Sequence, residues 1–121
     1  MMRTMRTKVV IVDDHEQFRA SARAMLESEG FAVVGEAQNA EEALEAVMRL
    51  RPDILLLDVQ LPDLNGFEVA RRIAAGAVRP AIVLMSSRSA ATYAVQLAIS
   101  PACGFIAKVN LSGAALAVLV P

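Results

Sequence analysis

Asp58 closes the apolar run Ile54-Leu55-Leu56-Leu57, and Asp13 and Asp14 close a second run, Val9-Val10-Ile11-Val12. Ser86 and Ser87 follow Ala81-Ile82-Val83-Leu84-Met85 in the same way, and Lys108 follows Cys103 to Ala107. If these runs are parallel strands of one open sheet, their polar followers share its C-terminal edge, where such folds bind ligands. Three convergent carboxylates repel one another unless a cation joins them, and a hard divalent ion with oxygen ligands, Mg²⁺, suits the set. A carboxylate nucleophile, a metal, a hydroxyl and an ammonium together suit phosphoryl transfer, where catalysis is mostly positioning and charge neutralisation. Asp58, on the central strand between the other acids and the lysine, is the candidate nucleophile. Asp13 and Asp14 would hold Mg²⁺, directly or through water. Lys108 and Mg²⁺ would neutralise the phosphoryl oxygens, and Ser86 could donate to one of them.

The elements that must position these groups are short β-branched runs alternating with segments of helical period, the pattern of repeated βαβ units. Strands are expected at Lys8 to Val12, Phe31 to Glu36, Asp53 to Asp58, Ala81 to Met85 and Cys103 to Ala107. The third is apolar on both faces and therefore central. The first helix turns Phe18, Ala22, Met25 and Leu26 inward and stops at Gly30. The second starts behind the N-cap Asn39, with Glu42 three residues on, and ends at Arg51-Pro52. The third runs from about Gly66 to Ala75, the fourth lies within Ala90 to Ile99, and the fifth spans Leu111 to Leu119. The expected fold is an α/β doubly wound sheet of five parallel strands with helices on both faces.

With 121 residues the chain makes one domain, with residues 1–7 as an irregular lead-in and 8–121 as the folded unit. The apolar stretches are short and interrupted, so neither a membrane span nor a signal peptide is expected, and a cytoplasmic location fits the single cysteine. Cys103 is expected to be a small core residue, since no basic or histidine neighbour would activate its thiol. A net charge of −1 and the lack of a basic helix argue against direct nucleic-acid contact. His15 is expected to be an exposed helix-start residue, and Tyr93 a packing residue without a catalytic partner. Taken singly, Asp14 could simply cap the first helix, and Ser86 or Ser87 the fourth.

Taken together, these residues resemble the receiver domain of two-component response regulators over essentially the full length from Lys8. The matching segments are Val10-Ile11-Val12-Asp13-Asp14-His15, Leu56 to Gly66, Ser86-Ser87, and Gly104-Phe105-Ile106-Ala107-Lys108. Their intervals look like those of receivers joined to a LuxR-type helix-turn-helix. The resemblance implies a flavodoxin-like strand order 2-1-3-4-5 and a phosphoryl group passed to Asp58 from a sensor histidine kinase. It implies Mg²⁺ on Asp13 (through water), Asp14, Asp58 and the backbone carbonyl of Gln60. Ser86 matches the switch hydroxyl and Phe105 the aromatic switch. Phosphorylation would draw Ser86 inward, let Phe105 follow, and alter the face built from the fourth helix, fifth strand and fifth helix. Catalysis would be confined to the domain's own phosphorylation and dephosphorylation. Gln60 and Arg88 match positions that influence phosphoryl lifetime in the family.

Two residues depart from the family pattern. Val109 replaces the proline that usually follows the lysine, so a different aim for Lys108 is expected, and Phe105 has no hydroxyl, so its switching would rest on packing alone. From Ser89 to Pro121 the only charged side chain is Lys108. An apolar patch for a homodimer or an output protein is therefore expected on this side; the opposing possibility is that alanine-rich helices pack too closely to expose one. A phosphatase of the haloacid dehalogenase type is disfavoured because Gln60 stands where its second acid would be. The remaining alternative is a receiver-like interaction module that works without phosphorylation.

Overall fold

A computed structural model of the chain describes residues 6–121. Of the expected lead-in, residues 1–5 lie outside the described residues, while the Thr7 carbonyl accepts the Ala32 N–H at 2.9 Å. Elements follow in the order β1 (Lys8–Val12), α1 (Glu16–Ser28), β2 (Ala32–Ala37), α2 (Ala40–Leu50), β3 (Ile54–Asp58), α3 (Gly66–Ala74) and β4 (Ala81–Ser86). A 3-10 helix at Ala90–Tyr93 then runs into α4 (Ala94–Ile99), followed by β5 (Gly104–Ala107), a 3-10 turn at Lys108–Asn110 and α5 (Gly113–Leu119). The sheet is five-stranded, in the order β2-β1-β3-β4-β5, and every pairing is parallel.

Strand alternation divides the core into two layers. Val10, Val12, Leu55, Leu57, Ile82 and Leu84 face α2, α3 and Tyr93. Val9, Ile11, Ile54, Leu56, Val83 and Met85 face α1 through Ala22 and Leu26, and α5 through Leu116. All five β3 residues are buried, as its unbroken apolar run requires of a central strand. Parallel pairing puts the C-termini of β1, β3, β4 and β5 on one edge, so Asp13, Asp58, Ser86 and Lys108 meet there.

Helix boundaries follow local chemistry. Asn39 and Asn65 cap α2 and α3 by accepting the Glu42 and Glu68 N–H groups. Arg51, ahead of Pro52, leaves α2 with a left-handed φ of 47°, and Gly30 supplies a φ of 96° after α1. Helix α5 begins at Gly113 rather than Leu111, because Ser112 caps it and the preceding residues form the 3-10 turn. Strand β5 begins at Gly104 rather than Cys103. Cys103 is exposed, contrary to the core position expected for it. It precedes the edge strand and lies outside both core layers, and its thiol donates to the Ile82 carbonyl at 3.3 Å. Burial of part of that side chain pushes the thiol pKa up, away from reactivity.

Candidate functional site

Asp13, Asp58 and Ser86 are the polar or charged residues that the described chain buries, at 0%, 3% and 1% exposure. All three stand at the C-terminal edge of the sheet. Lys108, on the turn behind β5, reaches into the same space: its ammonium lies 2.5 Å from Asp13 Oδ2 and 3.1 Å from Asp58 Oδ2. The Phe18 ring of α1 flanks it, 4.7 Å from nitrogen to ring centroid. The altered aim expected from Val109 therefore does not keep Lys108 out of the site.

The Gln60 N–H donates to Asp58 Oδ1 at 3.1 Å, and the His15 N–H donates to Asp13 Oδ1 at 2.8 Å. Asp14 is exposed beside them. His15 is exposed at the start of α1, as expected, with its Nδ1 at 3.1 Å from both Asp13 Oδ1 and Asp14 Oδ1. The expected helix-capping role of Asp14 is not found: His15 holds the N-cap position, without a side-chain cap. Ser86 and Ser87 do not cap the fourth helix either, because Ser89 stands at the N-cap of the 3-10 helix.

The loop after Asp58 is fixed from two sides. Asp63 accepts the Ala40 and Glu41 N–H groups at the start of α2, at 2.9 and 3.1 Å. Gly66 donates to the Val59 carbonyl at 2.7 Å, and any side chain there would meet the Asp58 carbonyl oxygen. Behind Asp13, Arg19 donates to its carbonyl at 2.6 Å and to Glu36 Oε1 at 3.0 Å, tying β1 to β2 through α1.

Electrostatics divide the carboxylates. Burial holds the Asp58 pKa above its ordinary value, and the nearby Asp13 charge adds to this, against the Gln60 N–H and Lys108. Burial acts the same way on Asp13, but the charge of the adjacent Lys108 ammonium and the hydrogen bond from the His15 backbone outweigh it and hold the pKa low. Burial likewise opposes the charge of Lys108, and its two carboxylate partners overcome it, raising the pKa.

One atom is left over. Asp13 Oδ2 is buried and accepts no hydrogen bond, its only close partner being the Lys108 ammonium. Ligand atoms of Asp13, Asp14, His15 and Asp58 all lie within 4.8 Å of one another. Clustered carboxylate oxygens with spare acceptor capacity fit a hard divalent cation such as Mg²⁺.

Sequence reasoning missed Tyr93. The residue packs in the core, as expected, but it does have a partner at the site: its hydroxyl lies 3.1 Å from Ser86 Oγ. Ser86 Oγ also accepts the Arg88 N–H at 3.0 Å. Phe105, half-buried on β5, reaches this pair through the Tyr93 ring at 6.1 Å between centroids. A signal was present in that Tyr93 is the one large aromatic in the small-residue stretch after Ser86, and a buried phenol must find a partner.

The model of the response regulator receiver domain matches residues 9–117. The response regulator GacA of Pseudomonas syringae pv. syringae is 32% identical over 114 residues, which cover 93% of this chain and 51% of GacA. A solved LuxR-family two-component response regulator from Aurantimonas sp. SI85-9A1 superposes with a TM-score of 0.83 at 28% identity, covering 95% of this chain and 86% of that one. The BeF3-activated N-terminal receiver domain of Klebsiella pneumoniae RstA gives 0.79 at 30% identity, covering 93% and 95%. The chain spans about half the length of several curated relatives it matches, GacA among them, and about a quarter of others.

Proposed function

This chain belongs to the response regulator receiver domain family of two-component systems, and on that premise we propose that it is a phosphoacceptor switch acting through Asp58. The observation that carries this reading is that the chain spends its buried polar residues, Asp13, Asp58 and Ser86, on one sheet edge, around the Lys108 ammonium. An Asp58 carboxylate oxygen attacks the phosphorus of a sensor kinase's phosphohistidine. The P–N bond breaks, an acyl phosphate forms, and the imidazole nitrogen leaves with the electron pair. Lys108 follows the new charge from the Asp58 oxygen to a phosphoryl oxygen, and Ser86 donates to another.

Asp13, Asp14, Asp58 and the Gln60 carbonyl would hold Mg²⁺, with Asp13 acting through water. When bound, the ion supplies positive charge against the phosphoryl oxygens. Ser86 and Phe105 carry the change to the face formed by α4, β5 and α5. That face is apolar and open: Val95, Ile99, Val109 and Val118 are each at least 75% exposed. This favours a surface for a second copy of the chain or an output protein over close-packed helices that hide it. Among the described residues, no helix is long and apolar enough to cross a membrane.

Intact-mass analysis with a small acyl-phosphate donor tests the reading. The expected result is a gain of one phosphoryl group that requires Mg²⁺, with an increase in association by light scattering. A folded, Mg²⁺-saturated chain that gains nothing would leave a receiver-like module that binds its partner without phosphorylation.

A further inference from the structure

Between Ser87 and Ile99 one residue is buried. Tyr93 is 7% exposed, Leu97 is half-buried, and every other position of the segment, including the rest of the 3-10 helix and α4, is exposed. The Tyr93 ring sits between Phe67 at the start of α3, 5.7 Å away at 57°, and Phe105 on β5, 6.1 Å away at 52°. Its hydroxyl and the Arg88 N–H together engage Ser86 Oγ, so the partners of Ser86 both belong to the segment that follows β4. Neither of them is Asp58.

We propose that Tyr93 is the positioning residue of this switch, its hydroxyl holding Ser86 in the resting rotamer until a phosphoryl oxygen on Asp58 competes for the serine proton. The inference rests on the phosphoacceptor reading and deepens it. Either hydroxyl can donate across this pair, and in the proposed resting arrangement Ser86 gives its one hydroxyl proton to the Tyr93 oxygen. Given to a phosphoryl oxygen, that proton forms a charge-assisted bond of roughly twice the strength of a neutral one, so the exchange favours phosphate. Tyr93 then has to find a new partner for a buried hydroxyl in a slot otherwise walled by Phe67 and Phe105. Because the 87–99 segment is anchored mainly by this residue, moving Tyr93 moves the segment, and Val95 and Ile99 with it. Phe105 has no hydroxyl of its own, and Tyr93 supplies the polar link that β5 lacks.

Tyr93 is the only tyrosine and the chain has no tryptophan, so tyrosine emission reports this side chain alone. Tyr93→Phe keeps the ring and removes the oxygen. With an acyl-phosphate donor and saturating Mg²⁺, the variant is expected to be phosphorylated about fivefold faster than the wild type, the weight of one neutral hydrogen bond. In a Ser86→Ala background the same substitution is expected to change the rate by less than about twofold. A rate that is not raised, or is raised equally in both backgrounds, overturns the proposal, because a ring that only packs would act without Ser86. The wild type gives an independent readout: its tyrosine emission is expected to change on phosphorylation and to stay constant in Asp58→Asn under the same conditions. Unchanged emission in fully phosphorylated wild type overturns the proposal even if Tyr93→Phe does not fold. A wild type that takes up no phosphoryl group sinks the phosphoacceptor reading and this inference together, whereas a phosphorylated chain with a silent Tyr93 sinks the inference alone.

Discussion

Asp58→Asn is expected to abolish phosphoryl uptake and, in metal-free buffer at neutral pH, to melt a few degrees higher than the wild type. The first effect is chemical, since an amide oxygen is not a nucleophile toward phosphorus. The second follows from the raised pKa of the buried Asp58 carboxyl. A carboxyl whose folded-state pKa exceeds its unfolded value supports folding while it is protonated in both states. That support is lost as pH rises from the ordinary value of 3.8 through the raised folded value. Above that raised value an ionised Asp58 is a net cost to folding, and the neutral amide removes it. Mg²⁺ is expected to stabilise the wild type and to do much less for the variant. Mass spectrometry checks the first outcome and urea midpoints against pH the second. Uptake that survives the substitution would place the acceptor on another residue. A less stable variant would mean that the Lys108 contact outweighs burial.

Removal of the lysine is expected to act in the opposite sense on stability. Lys108→Ala takes the cation away from two carboxylates that are almost wholly buried, Asp13 and Asp58. Breaking a buried pair from one side costs about 3 kcal/mol, since the charges left behind are uncompensated. Asp13 Oδ2 would then have no partner among the described residues. Saturating Mg²⁺ is expected to restore a large part of the loss, because a divalent cation can take over the neutralisation. Phosphoryl transfer is a separate matter: without an ammonium to meet the developing charge, the rate is expected to fall about a hundredfold or more even with Mg²⁺ present. Denaturant unfolding with and without Mg²⁺, beside phosphorylation time courses, separates the two. A variant as stable as the wild type without metal would show that the carboxylates are relieved by other means. A variant that is phosphorylated at the wild-type rate would remove Lys108 from the chemistry.

The elements were legible in the residues because their signals are local. Val9 to Val12 and Ile54 to Leu57 are continuous apolar runs, and Asn39 with Glu42 marks a helix start. Punctuation by Gly30 and Pro52 comes from backbone sterics that need no neighbour in space. The main acids and the lysine were legible for the same reason, since a polar residue directly behind an apolar run falls on the sheet edge once the strands are parallel. Less legible were the exact starts of β5 and α5, where Ser112 as a cap competed with a pattern that ran on from Leu111.

The amino-acid sequence by itself determined the five βα units, the central place of β3, the edge on which Asp13, Asp58, Ser86 and Lys108 gather, and the scarcity of charge after Arg88. Only the tertiary structure decided which of these groups touch. It set the bridge from Lys108 to two carboxylates at the ends of strands far apart in the chain, and the pairing of Tyr93 with Ser86. It also left Cys103 outside the core and Val95 and Ile99 on the open face. The physical reason is one of range. Periodicity and capping act over a turn or a strand, whereas the partner of a side chain across a sheet depends on how separate elements are packed, and a buried hydroxyl takes whichever acceptor that packing brings within reach.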